Sequence, residues 1–188
     1  MKKTCIILLY TLCIASLSML YSVQIQQNLS ENLLRMHVIA NSNSLRDQGI
    51  KLSVRNRILK ESGSAPNISV LENAAIDELS KSSADYGAKV SLERCYVPEK
   101  QYKNIRLPEG MYNCVRVVLG SGAGENWWCV AYPPLCFTED MFGEMSIDGR
   151  SQLETALNES ALKTIVDGGG INFRFKIVEE MQKLRRSL

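Results

Sequence analysis

The chain has little of what most catalytic and nucleic-acid-binding proteins depend on. It holds a single histidine, His37, in 188 residues, so a metal site or a catalytic triad would have to be built around one imidazole. Its six cysteines include no Cys-x-x-Cys pair, which argues against zinc. The formal charge is only +2, and Lys2 and Lys3 account for both units. What remains is nearly neutral and lacks the basic footprint that nucleic acid attracts. The glycine-rich run at 120–124 is not followed by Lys-Ser/Thr, and a strand pattern comes after it, so it reads as a hairpin turn and not a phosphate loop. No internal repeat or low-complexity tract is present. Neither a metal, a cofactor, a nucleic acid nor a small-molecule substrate is expected.

Charge is also missing from Thr4 to Ser30. Behind Lys2 and Lys3 lies an apolar run, Cys5 to Ala15, which has the form of a secretory signal peptide. Ser16-Leu17-Ser18 offers small residues for cleavage before Met19. Uncut, the uncharged stretch is long enough to cross a bilayer, which takes roughly 20 residues. Residues 1–22 are therefore a signal peptide or a membrane anchor, with residues 4–23 as the anchoring span. Residues 23–32, rich in glutamine and asparagine, are expected to form a linker. Either outcome puts the bulk of the chain outside the cytosol.

Residues 33–188 are expected to form one domain, with 45% hydrophobic residues in the chain to supply a core. Leu33 to Asn41 reads as a buried strand. Ser44 with Asp47 three residues on is a capping pattern, and Ile50, Val54 and Ile58 predict one apolar stripe on the helix that follows. A second helix is predicted from Ser69, with Leu71, Ala75, Ile76 and Leu79 inward and Gly87 as its C-cap. Lys89 to Glu93 alternates as a strand, and in the strand Met111 to Leu119 the side chains of Val115, Val117 and Leu119 share one face. Residues 98–110 form a long connection. Leu153, Leu157, Ala161 and Ile165 mark a third helix, and residues 171–186 an extended entry leading into a last one. The class is α+β: a small antiparallel sheet covered by two amphipathic helices, with a C-terminal helical segment added.

The richest stretch is 124–137. Both tryptophans, Trp127 and Trp128, lie here with Cys129, Cys136 and the Pro133-Pro134 pair. It reads as a short strand ending in a stiff loop. Strand alternation puts the two indoles on opposite faces. One would fill the core under the helices; the other, with Tyr132 and the prolines, would be exposed as a binding hot spot. Four cysteines follow the leader, and an even number in an exported domain favours disulfides. Cys95 and Cys114 share the polar side of an antiparallel pair, where a bridge is expected, leaving Cys129 with Cys136; other pairings stay open. A Cys129 thiolate with His37 as base would make a secreted enzyme, the competing reading, and an envelope-anchored structural protein is a third.

His37-Val38-Ile39-Ala40-Asn41-Ser42, followed by Asp47, Gln48 and Lys51, resembles the opening motif of the stage II sporulation protein R family of endospore-forming bacteria. Tyr96 to Tyr102, Leu107-Pro108-x-Gly110-x-Tyr112 and, above all, Asn126 to Phe137 resemble it too. The likeness runs from about Arg35 to Phe137, leaving 138–188 as a C-terminal extension. Glu99 departs from the usual threonine, and Cys95 and Cys114 lie outside the family's motifs. The resemblance implies a non-enzymatic signal exported from the forespore into the space between two membranes. There it would activate a membrane-embedded aspartic protease, the stage II sporulation protein of the GA type, which processes the pro-form of the early mother-cell sigma factor. Candidate partner-binding residues are Trp127, Trp128, Tyr132, Pro133, Pro134, His37 and Asn41.

Overall fold

The computed structural model describes residues 2–102, 105–135 and 147–167. Helix α1 (Lys2–Asn32) leads directly into strand β1 (Leu34–Ile39). Two helices follow, α2 (Leu45–Glu61) and α3 (Ile68–Lys81), then strand β2 (Ala88–Val97), a small hairpin of β3 (Lys100–Tyr102) and β4 (Ile105–Leu107), and strands β5 (Gly110–Leu119) and β6 (Asn126–Tyr132). Helices α4 (Ile147–Ala156) and α5 (Glu159–Asp167) complete the described chain.

The α+β class is as expected, with one refinement of the sheet. Its order is β2-β5-β1-β6; β1 runs parallel to β5 and antiparallel to β6, so the sheet is mixed. Between β1 and β5 lies the α2–α3–β2 excursion, long enough for a parallel return. The 98–110 connection folds part of its length into the β3–β4 hairpin.

The first face of the sheet carries the predicted core, except that Ile76 of α3, expected to point inward, is exposed. Met36, Val38, Val115, Val117, Leu119 and Cys129 pack with Ile50, Val54 and Ile58 of α2 and Leu71, Ala75 and Leu79 of α3. Ser44 caps α2 as the pattern requires, its side chain accepting from the Asp47 amide at 3.1 Å. Helix α3 instead starts two residues earlier than predicted for a Ser69 cap: Asn67 is the cap, accepting from the Val70 amide. It also stops earlier, at Ser82, with Ser83 in the left-handed region. Gly87 is not its C-cap; its carbonyl accepts from the Gly120 amide at 2.8 Å, next to the β2–β5 pair.

The second face is covered too, which the sequence pattern had not suggested. Ile25 and Leu29 of the α1 end with Leu33 just after it, Ile105 and Leu107 of the hairpin, and Leu153, Ala161 and Ile165 of α4 and α5 with Leu157 between them pack around Tyr112 and Val130. Residues 23–32 are therefore no linker. They continue α1, and an i, i+4, i+8 stripe at 25, 29 and 33 docks them on the sheet. The expected third helix is two, broken where Asn158 caps α5 through the Ala161 amide at 2.8 Å. The last expected segment, 171–186, lies outside the described residues.

Upstream of the docked part, α1 exposes a continuous apolar surface that includes Leu9, Leu12, Ile14, Leu17 and Leu20. This helix has the length and composition to cross a membrane.

Candidate functional site

The β1–α2 turn sets the frame around the sheet's open end. Asn41 Nδ2 donates to Asp47 Oδ2 at 2.9 Å and the Ser42 hydroxyl to the same oxygen at 2.5 Å, while Tyr86 donates to Asp47 Oδ1 at 2.7 Å. These donors hold the Asp47 carboxyl below its ordinary range, Ser42 contributing most. Burial and the facing Asp47 push the Tyr86 phenol up to about 12. Gln48 Nε2 donates to the Ser42 carbonyl, and Lys51 Nζ to Gln48 Oε1 and the Glu125 carbonyl.

The β5–β6 turn seats on this network; it is not the expected hairpin turn, because β1 lies between β5 and β6 in the sheet. The Ser121 amide donates to Asn41 Oδ1 at 3.0 Å, and the Gly124 amide to the Ala40 carbonyl at 2.9 Å. A Cβ at Gly120 would collide with Asn41 Oδ1, and one at Gly124 with the Ser42 carbonyl. The motif from Asn41 to Lys51 is thus a clasp between two turns. Asn41, a candidate for partner binding, spends its side chain inside it.

Strand parity sorts the remaining candidates. Trp127 turns to the first face, packs against the helix-covered core and lies under Arg55, whose Cζ is 4.5 Å from the ring centroid. Trp128 turns to the second face and stacks on His37, with centroids 3.6 Å apart and planes 11° from parallel. His37 Nε2 lies 2.7 Å from Asn126 Oδ1, an acceptor, which makes Nε2 the protonated nitrogen. Burial lowers the His37 pKa against the opposing pull of Asn126, so the ring is neutral at pH 7.

Tyr132 does not accompany Trp128. A register shift between Leu34 and Arg35 makes one extra residue in β6 and sends Tyr132 to the first face, opposite Leu34. The Tyr132–Pro133 peptide is cis; Pro133 is buried and Pro134 half-buried. The seven candidates therefore do not form one patch. The structure unites His37 and Trp128, and adds Asn126, Arg116, Glu93 and Arg35, which sequence reasoning had not selected. Polar residues at alternate positions of an apolar strand, Arg35 and His37 in β1, were the available signal.

Register places these side chains in two rows on the second face: Ser91, Arg116, His37 and Trp128, then Glu93, Cys114, Arg35 and Val130. Arg116 pairs with Glu93 at 3.2 Å. Arg35, fully buried, donates from Nε to the Cys129 carbonyl at 3.1 Å.

The cysteines correct the expected bridging. Cys95 and Cys114 are free thiols. They share a face as anticipated, diagonal across the β2–β5 pair, and their thiols are in hydrogen-bond contact without a bond between them. Burial raises the pKa of both, which leaves them unreactive as thiolates. Cys129 is disulfide-bonded; Cys136, its expected partner, lies outside the described residues. Cys129 is on the first face and His37 on the second, so the sheet itself separates the proposed nucleophile from its base.

No cluster of three or more metal-ligating side chains occurs among the described residues. The molecule is of the class of small α+β domains carried behind a membrane-length apolar helix, with an aromatic surface on one sheet face.

Comparison with known proteins makes the class specific. The sequence profile described as stage II sporulation protein R matches residues 30–69 and 64–141. Stage II sporulation protein R of Bacillus subtilis (strain 168) is 31% identical over 168 residues, covering 77% of this chain and 75% of that protein. The chain belongs to the stage II sporulation protein R family, and its role is in sporulation. No solved structure matches it.

Proposed function

We propose that the protein is a non-enzymatic signal, exported from the forespore, that binds the membrane-embedded aspartic protease of the stage II sporulation GA type. Binding favours the protease's active form, and so the processing of the early mother-cell sigma factor. The observation that carries this reading is the Trp128–His37 stack, a half-exposed indole held flat by a neutral imidazole on a rigid sheet face. Aromatic groups fixed in this way lose little entropy on binding and dominate protein interfaces. A disulfide between Cys129 and Cys136 would hold the following Pro133-Pro134 turn against the same strand. The apolar helix α1 keeps the domain at the membrane where such a protease sits, whether as an uncleaved anchor or only during export.

The test replaces a sporulating strain's own signal gene with this one and follows sigma-factor processing by immunoblot. Trp128→Ala, shown to be folded and exported, should reduce processing at least about tenfold, as loss of a hot-spot aromatic does. Unchanged processing would sink the reading. Trp127→Ala is the contrasting variant: its defect should follow its loss of stability, because that indole packs on the core.

A further inference from the structure

Arg35 sits where the covered part of the second sheet face meets its open row. Its side chain has no exposure to solvent. Nε is engaged by the Cys129 carbonyl, and Cζ lies 5.0 Å from the centroid of the Tyr112 ring. The ring attracts the charge but offers no acceptor. Among the described residues, Nη1 and Nη2 have no hydrogen-bond partner and no ion pair involves Arg35. A buried guanidinium left in this state costs stability that an apolar residue of the same volume would not.

Among the described residues, the surroundings do not supply the missing charge. The titratable groups in the same and neighbouring rows are Glu93, Cys114, Arg116, His37, Cys95 and Tyr112, whose hydroxyl donates to the Pro108 carbonyl. Glu93 is committed to Arg116 and also accepts from the Cys95 thiol. Arg116, diagonal to Arg35 across the β1–β5 pair, keeps its own Nε buried and unpartnered. With its Nε occupied, Arg35 presents two free Nη groups as an end-on fork, which matches the two oxygens of a carboxylate. A water molecule could accept from either nitrogen but would leave the charge uncompensated.

We propose that Arg35 is the receptor for a carboxylate delivered by a bound peptide segment, either an acidic side chain or a chain terminus. The inference rests on the reading of the Trp128–His37 face as the partner surface, since Arg35 lies one row inward on that face.

The test uses the full-length protein in neutral-detergent micelles with 15N-labelled arginine. It is titrated with N-acetylglycine, a terminal carboxylate, and with the α-amide of N-acetylglutamic acid, a side-chain carboxylate, against sodium chloride at equal ionic strength. The expected result is a saturable shift of the Arg35 Nε–Hε resonance and a carboxylate-dependent rise in thermal midpoint. In Arg35→Lys, which keeps the charge but loses the fork, affinity should fall roughly tenfold. In Arg35→Met the midpoint should lose its carboxylate dependence while remaining at or above that of the unmodified protein in chloride. Response to one probe identifies the source, and response to both leaves the carboxylate itself as the determinant. No saturable shift, or an equal midpoint response from Arg35→Met, overturns the proposal; if that variant does not fold, the resonance shift of the unmodified protein decides alone. Unchanged processing by Trp128→Ala would instead remove the partner reading, whatever the isolated protein's response to carboxylate.

Discussion

Asp47 shows how one side chain can tie together segments that are far apart in sequence. It receives Asn41 and Ser42 from the turn before it and Tyr86 from beyond α3, and its amide caps α2 on Ser44. Three donors to one carboxylate favour its charged form and depress its pKa in the folded protein. The linkage sign follows: a depressed carboxylate stabilises the fold above its unfolded pKa of about 3.9, and this contribution is lost as pH falls through the lower folded value. Asp47→Ala should therefore lower the thermal midpoint at pH 7. Its deficit against the unmodified protein should shrink as pH is taken below about 4, which thermal unfolding across a pH series would read. A deficit constant with pH would argue that the carboxylate charge contributes nothing. The Ser44–Asp47 spacing is visible in the sequence as a cap. Tyr86 is not, because only the packing of α3 and the approach to β2 bring its hydroxyl to Asp47.

At the scale of elements, α1 is divided between two environments. Leu12 and Leu17 are exposed, whereas Leu29 is fully buried against the second face. Leu29→Ala should destabilise the protein by about 2–5 kcal/mol, as expected for a buried leucine truncated in a core. Leu12→Ala should leave its stability in detergent unchanged. Thermal or chemical unfolding of the two variants compares them directly, and equal effects would mean that the α1 end is not part of the core. Helices α2 and α3 were legible because their apolar residues recur at helical spacing and face a single partner. The end of α1 was not, since Gln24, Gln26, Gln27 and Asn28 mask the stripe of Ile25, Leu29 and Leu33. Ser22, Gln26 and Ser30 are buried there as well, and polar composition alone reads as linker. The alternation of β6 was legible as far as Val130, and it correctly parted the two indoles. The shift at Leu34/Arg35 then reversed the parity of Tyr132, and no local signal announces an extra residue in one strand.

At the scale of the molecule, the two cores respond differently to the loss of the N-terminus. A chain beginning at Met19, the product of cleavage after Ser18, retains Ile25, Leu29 and Leu33 and should unfold cooperatively with a midpoint close to that of the full chain. A chain beginning at Leu34 removes that stripe and uncovers Tyr112 and Val130, so its midpoint should fall and an apolar surface should become available to a hydrophobic dye. Calorimetry with dye binding checks both, and indistinguishable chains would overturn the assignment of the second core. Membrane-length hydrophobicity and docking are thus separate properties of one helix, its first part exposing apolar residues and its last part striped.

The sequence by itself determined the apolar N-terminal segment, the class of fold, the first core and the opposed indoles. Each follows from a short-range pattern: an uncharged run, a helical or strand period, a cap, a turn. The tertiary structure decided the rest: the parallel pairing of β1 with β5, the second covered face, the diagonal offset of Cys95 and Cys114, and the stack of His37 on Trp128 across 91 positions of sequence. These depend on register between strands that are distant in the chain. A shift of one residue exchanges the faces of a strand, and only the packing of both cores together settles which register holds.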